Sequence, residues 1–220
     1  MCILIVKKAG VKPPLKKTLE NCFKANPDGA GYAYIDGKKM YLNKGFMTFA
    51  DFWRSFRAVD VTEKDCIIHF RVATHGTVCV DNCHPFAING QICAAHNGVL
   101  SIPSKNNKTD SEIFFTEICA PLIENFGIES PLFKEVIRLS IGTSKIAFLD
   151  IDSGLHTFGH FIESGGVLFS NRSFESVPEY KFQSGRWDFK AKRFMPYENT
   201  DKKPGGYVPL RYRWPDETLF

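Results

Sequence analysis

The sequence predicts an α+β fold. Many short apolar runs of strand length, helical apolar stripes gathered in clusters, and turn signals between them carry that expectation. Cys2–Lys7 is a β-branched apolar run and reads as a strand at the N-terminus. Over Leu15–Lys24 the residues Leu15, Leu19, Cys22 and Phe23 form the stripe of an amphipathic helix, which Asn26-Pro27-Asp28-Gly29 ends. Tyr32–Ile35 and Met40–Asn43 flank Asp36-Gly37, a hairpin signal. Phe49, Phe52, Trp53 and Phe56 mark a second helix. Strands are expected at Cys66–Val72 and Gln91–His96. A long helix follows at Ser111–Phe126, with Pro121 a candidate kink, and another around Leu132–Leu139. Lys145–Ile151, Leu155–Phe161 and Gly166–Ser170 close the series as strands, the first two joined by Asp152-Ser153-Gly154.

Length and composition limit the function classes. A chain of 220 residues fits one domain plus an appendage and can bury roughly 70% of its unfolded surface. At 44% apolar and 24% charged it is neither disordered nor collagen-like, and no apolar run approaches the ~18 residues of a membrane span. MCILIVKKAG places lysines after its apolar stretch, the reverse of a secretory signal. Seven scattered cysteines fit reduced thiols in a cytoplasm better than a disulfide framework.

The formal charge of +4 is concentrated at the C-terminus. From Gln183 to Phe220, eight Lys and Arg stand against five Asp and Glu, with eight aromatics and four prolines. The chain is therefore divided into a body, 1–182, and an irregular basic, aromatic tail, 183–220, expected to dock on the body and help recruit a partner. Base stacking on these aromatics is disfavoured, because acids interrupt a charge of only +3.

Four short segments carry chemistry. Cys2 directly follows Met1, so loss of the methionine gives a thiol and an α-amine on one residue, a nucleophile with its own base. Arg71 follows an apolar run in His69-Phe70-Arg71-Val72-Ala73-Thr74-His75-Gly76, and a buried guanidinium needs a carboxylate from the protein or a substrate. Asn97-Gly98 after His96 is a type I′ hairpin signal, or else a side-chain amide and a glycine N–H composing an oxyanion hole. Thr109-Asp110-Ser111-Glu112 opens the long helix as a capping box, or else Asp110 holds a substrate ammonium.

In order along the chain, Met1-Cys2, Asn26-Pro27-Asp28-Gly29-Ala30-Gly31, His69–Gly76, Asn82-Cys83-His84-Pro85-Phe86, Ala95-His96-Asn97-Gly98 and Thr109–Glu112 resemble the class II glutamine amidotransferase domain. That family belongs to the N-terminal-nucleophile hydrolases. The resemblance covers about residues 1–182. It implies a four-layer αββα sandwich of antiparallel sheets, glutamine as substrate and no cofactor or metal. It further implies Cys2 as nucleophile with its α-amine as base, and Asn97 and Gly98 as the oxyanion hole. Arg71 would grip the glutamine carboxylate with Thr74 and His75 in support, and Asp110 would hold the ammonium. Two features depart from the family: Ile3 stands where glycine usually follows the nucleophile, and a retained Met1 would block the amine. The 38 or so residues after the body are too few for a synthase domain, so a separate ammonia-accepting synthase is the expected partner, with no membrane. The rival readings are a structural zinc protein built on Cys79-x3-Cys83 and nearby histidines, a silent interaction protein, and an N-terminal-cysteine hydrolase of another amide.

Overall fold

The computed structural model describes residues 2–73, 78–103 and 108–175, together with the backbone of 185–188 and 193–196. The chain divides into two compact units, residues 1–177 and 178–220.

In chain order the first unit contains β1 (Ile3–Lys7), α1 (Lys16–Ala25), β2 (Ala30–Asp36), β3 (Lys39–Phe46), α2 (Phe49–Phe56), β4 (Cys66–Phe70), β5 (Phe86–Ala87) and β6 (Ile92–Asn97). Then come α3 (Asp110–Ile113), a π-helical segment (Phe114–Cys119), α4 (Ala120–Phe126), α5 (Pro131–Ser140), β7 (Lys145–Asp150), β8 (Gly154–Phe158), β9 (Ile162–Ser164) and β10 (Val167–Phe169). One sheet has the order β3-β2-β4-β1-β10-β9 and the other β5-β6-β7-β8, all pairs antiparallel.

The layers follow from the alternation of side chains across each strand. On β1, Ile3 and Ile5 join Phe52, Phe56 and Leu19 under α1 and α2. Leu4 and Val6 point the other way and meet Cys93, Ala95, Ala147 and Leu149 of the second sheet. Ile146 and Phe148 on that sheet's far face pack with Phe115, Phe133 and Ile137 of the later helices. Helix, sheet, sheet, helix is thus the order of the layers, and small side chains between the sheets let them approach closely.

Local chemistry sets the ends. Thr48 caps α2 by accepting Asp51 N–H at 3.2 Å, and Ser130 caps α5 by accepting Phe133 N–H at 3.1 Å. The expected long helix runs through a π segment rather than a plain kink. Pro121 has no N–H to donate, and Ala120 N–H reaches back five residues to Phe115 O. Leu15 precedes α1 with its side chain 77% exposed, so only Leu19 and Cys22 of the stripe are fully buried within the helix. β5 and β9 are short strands that apolar patterning does not reveal.

In the second unit, β11 (Gly185–Asp188) pairs antiparallel with β12 (Arg193–Pro196). A hairpin therefore stands inside the segment expected to be irregular. The remainder of the tail lies outside the described residues.

Candidate active site

The start of β1, the ends of β4, β6 and β10, and the start of α3 converge. Ile3 pairs with Phe70 at the last residue of β4, so Arg71, Val72 and Ala73 run out beside Cys2. Cys2 Sγ lies 3.4 Å from Val72 N–H, which donates to it, and 3.4 Å from Val72 O. Ile3 is wholly buried in β1, so regular β structure begins directly after Cys2.

Glycines 29 and 31 allow the Asn26–Gly31 turn to sit against this segment. Gly29 has φ +133°, and a Cβ there would meet Cys83 Sγ at 2.4 Å. A Cβ on Gly31 would stand 2.2 Å from His84 O. Asp28 N–H donates to Arg71 O at 2.9 Å, Arg71 N–H to Gly29 O at 2.8 Å, and Ala73 N–H to Asp28 Oδ2 at 2.8 Å. Three hydrogen bonds thus bracket Arg71.

Asn97 ends β6 opposite Lys145, and β6 has β5 and β7 as partners. Asn97-Gly98 is therefore not a two-residue hairpin turn. Gly98 has φ +146°, and a Cβ would stand 2.1 Å from Ser144 Oγ, so glycine is required by the close approach. Asn97 is buried, with Nδ2 donating to Ser170 Oγ at 2.8 Å and Oδ1 without a partner.

Thr109 caps α3 by accepting Glu112 N–H at 3.2 Å. Asp110 does more than suit the helix dipole: Oδ2 accepts Leu100 N–H at 2.9 Å, and Oδ1 accepts Ser111 N–H at 2.8 Å. These bonds hold the carboxylate across the loop that leaves β6.

A single cleft is lined by Cys2, Arg71, Val72, Ala73, Asn82, His84, His96, Gly98, Val99, Thr109, Asp110 and Ser111. Arg71 and Asp110 bring the two formal charges of this lining, and Arg71 is 4% exposed. Asn97, which precedes Gly98, is buried and not among the residues that line this cleft. Thr74 and His75 lie outside the described residues, as does Met1.

Burial dominates the titration of the site. It raises the Cys2 thiol above its ordinary value, while the Val72 N–H hydrogen bond and, more weakly, the Arg71 charge pull it down. Burial also holds His69 at about 3 and His96 at about 4, and His84 well below its ordinary value. These three histidines are therefore neutral near pH 7. Their rings are packed, His69 4.3 Å from His84, and His69 Nε2 donates to His96 O at 3.1 Å. Among the described residues no three or more His, Cys, Asp or Glu gather as a metal site. No described helix is long and apolar enough to cross a membrane.

Ser170 and Asn171 were not legible as site residues. Asn171 Nδ2 donates to Cys2 O at 2.6 Å, and Ser170 Oγ accepts Leu4 N–H at 2.8 Å. Both reach the site only because β10 pairs with β1, a long-range fact that no local spacing signals.

Residues 19–147 match the family described as Glutamine amidotransferases class-II, a span that includes Arg71, Asn97, Gly98 and Asp110 and begins after Cys2. The glutamine–fructose-6-phosphate aminotransferase (isomerizing) of Streptococcus pyogenes serotype M6 is 31% identical over 137 residues, covering 57% of this chain and 22% of that protein. The enzyme of the same name from Lactococcus lactis is 32% identical over 137 residues, covering 56% and 22%. The chain thus spans about a fifth of the length of these relatives. Among solved structures, the glutamine phosphoribosylpyrophosphate amidotransferase from B. subtilis, complexed with ADP and GMP, shares the fold. Its TM-score is 0.51 at 20% identity, covering 77% of this chain and 42% of that one. The family match takes in more than half of the 220 residues, and the chain belongs to the class-II glutamine amidotransferases.

Proposed function

We propose that this protein hydrolyses glutamine to glutamate and ammonia through a thioester on Cys2, and that the ammonia is consumed by a separate synthase polypeptide in the cytoplasm. The observation that carries this reading is a cleft lined at once by a thiol, Cys2, a buried cation, Arg71, an acid, Asp110, and by Gly98. Free glutamine is a zwitterion with a side-chain amide, and it asks for one cation, one anion and a nucleophile at fixed spacing. Seven free cysteines suit a reducing compartment.

Arg71 pairs with the substrate carboxylate and Asp110 with its ammonium, while Thr74 and His75 support Arg71. Since burial favours the neutral thiol at rest, the thiolate forms as the sulfur attacks, its proton passing to the Cys2 α-amine freed by removal of Met1. The carbonyl oxygen becomes an oxyanion that Gly98 N–H and the Asn97 amide stabilise. Collapse breaks the C–N bond, the α-ammonium returns the proton, and ammonia leaves. Water then cleaves the thioester, releasing glutamate and restoring the thiol.

The names of the relatives pair glutamine with a second substrate within one protein, which supports an ammonia acceptor; its place on a second polypeptide is this proposal's own step. The reading is tested by intact mass. Purified protein is expected to lack Met1 and to gain one adduct from an electrophilic glutamine analogue, and Cys2→Ala is expected to gain none. Retained Met1 in active protein would remove the α-amine from the mechanism, and an adduct on Cys2→Ala would remove Cys2.

A further inference from the structure

β1 lies between β4 and β10, and both neighbours run antiparallel to it, so the chain leaves each of them beside the start of β1. Cys2 stands there between the two departing segments. On the β4 side, Val72 N–H donates to Cys2 Sγ at 3.4 Å. On the β10 side, Ser170 N–H continues the ladder to Leu4 O at 2.9 Å, and the next residue, Asn171, donates from Nδ2 to Cys2 O at 2.6 Å. The thiol is held from one side and the carbonyl of the same residue from the other.

The Asn171 carboxamide is itself fixed at both ends. Its Oδ1 accepts Ser173 N–H at 2.9 Å while its Nδ2 meets the Cys2 carbonyl. Exchanging the two ends would set oxygen against oxygen and NH2 against N–H, so only this orientation satisfies both partners.

A residue at the head of a chain has little else to hold it. Once Met1 is removed, no peptide bond restrains Cys2 on its N-terminal side, and its main chain can swing about the N–Cα bond of Ile3. The hydrogen bond to Cys2 O fixes the plane of the Cys2–Ile3 peptide, and the bond to Sγ opposes rotation beyond that plane. With plane and thiol both held, the α-amine keeps one placement relative to the sulfur. A base must lie within hydrogen-bond reach of the proton it takes, so this placement matters to the transfer.

We propose that Asn171 is a positioning residue for glutamine hydrolysis: its Nδ2 holds Cys2 O and thereby keeps the Cys2 α-amine in reach of the Cys2 thiol. The proposal rests on the reading of Cys2 given above. It places the effect on kcat, because Asn171 is not among the residues lining the cleft and Arg71 and Asp110 are untouched.

Glutamate release and thiol alkylation test it together. Asn171→Ala should lower kcat by on the order of 10- to 100-fold, the cost of a misplaced group. The KM for glutamine should stay within about twofold, as for an interaction that serves only the chemical step. Asn171→Asp keeps an oxygen for Ser173 N–H but sets a carboxylate against the Cys2 carbonyl, so it should lose at least as much, and it decides the matter if Asn171→Ala does not fold. Alkylation of Cys2 by iodoacetamide, read by mass on the peptide that carries it, should slow about tenfold at about pH 7.5 in either variant, and by less than about twofold at about pH 10, where hydroxide supplies the base. Full kcat in a folded Asn171 variant, a raised KM at full kcat, or alkylation equally fast at both pH values in variant and wild type overturns the proposal. Glutamate release by Cys2→Ala would remove the nucleophile reading and the proposal with it, whereas an inactive Cys2→Ala beside full kcat in Asn171→Ala overturns the proposal alone.

Discussion

The Asp28 carboxylate accepts the Ala73 peptide N–H at 2.8 Å, joining the Asn26–Gly31 turn to the segment that carries Arg71. Asp28 and Gly29 complete the bracket through the main chain of Arg71 itself. The bond involves a charged acceptor at a half-buried site and is worth about 1.5–3 kcal/mol at most. Asp28→Ala should therefore loosen the guanidinium and raise the KM for glutamine about tenfold, with kcat changed much less. Initial-rate kinetics check this, and a fall in kcat at constant KM would assign Asp28 another role.

Arg71 and Asp110 are expected to divide the recognition of the substrate's two charges. Loss of one partner of a desolvated charged pair costs about 2–5 kcal/mol. Arg71→Ala and Asp110→Ala should each raise KM by roughly 30-fold or more. Arg71→Ala should also lose discrimination between glutamine and its α-amide, which lacks the carboxylate. Wild-type KM in both variants would dismiss the clamp.

The glycines of the Asn26–Gly31 turn make a sharper structural prediction. Gly31→Ala sets a methyl against the His84 carbonyl at 2.2 Å, and backbone cannot swing aside as a long side chain can. Destabilisation of about 1–3 kcal/mol or more is expected, read as a lowered denaturant midpoint. Gly37→Ala, with nothing within 4 Å, should cost only the strain of its φ of +60°.

How much of this was legible depended on the range of the signal. CILIVK read as a strand because β1 is buried on both faces, which leaves a continuous apolar run. Phe52 and Phe56 announced α2 by their four-residue spacing, which lies within one element. Asn97-Gly98 carries the same letters as a hairpin turn, yet it leaves β6 toward Ser144, and only tertiary pairing distinguishes the two. Pro121 signalled a disturbance in the helix but not its form, because the wider π turn is settled by where Ala120 N–H finds an acceptor. Cys2, Arg71, Gly98 and Asp110 were recognisable by residue type and order. Ser170 and Asn171 were not, since a serine and an asparagine after a strand look like any turn until β10 lies beside β1.

The three buried histidines predict acid sensitivity. Burial holds His69 at about 3, His96 at about 4 and His84 well below the ordinary value near 6.5. As pH falls through 6.5 the unfolded chain takes up protons on them and the folded chain does not, so stability declines from about pH 6.5 down to the folded values. The decline approaches about 1.4 kcal/mol per pH unit for each such histidine. Tm measured from pH 7 to 4.5 should fall throughout, and His84→Gln should flatten the slope relative to the wild type. A Tm that is level over this window would contradict the burial of neutral histidines.

The central claim is that Cys2 performs the chemistry on glutamine, and glutamate release by wild-type protein and Cys2→Ala, measured side by side, tests it most directly. The thiol supplies the covalent step, which binding by Arg71 and Asp110 does not replace. Wild-type protein should release glutamate and ammonia in equal amounts, and Cys2→Ala should fall to the rate of the buffer blank while its Tm stays within a few degrees. Glutamate release by Cys2→Ala at the wild-type rate would contradict the account.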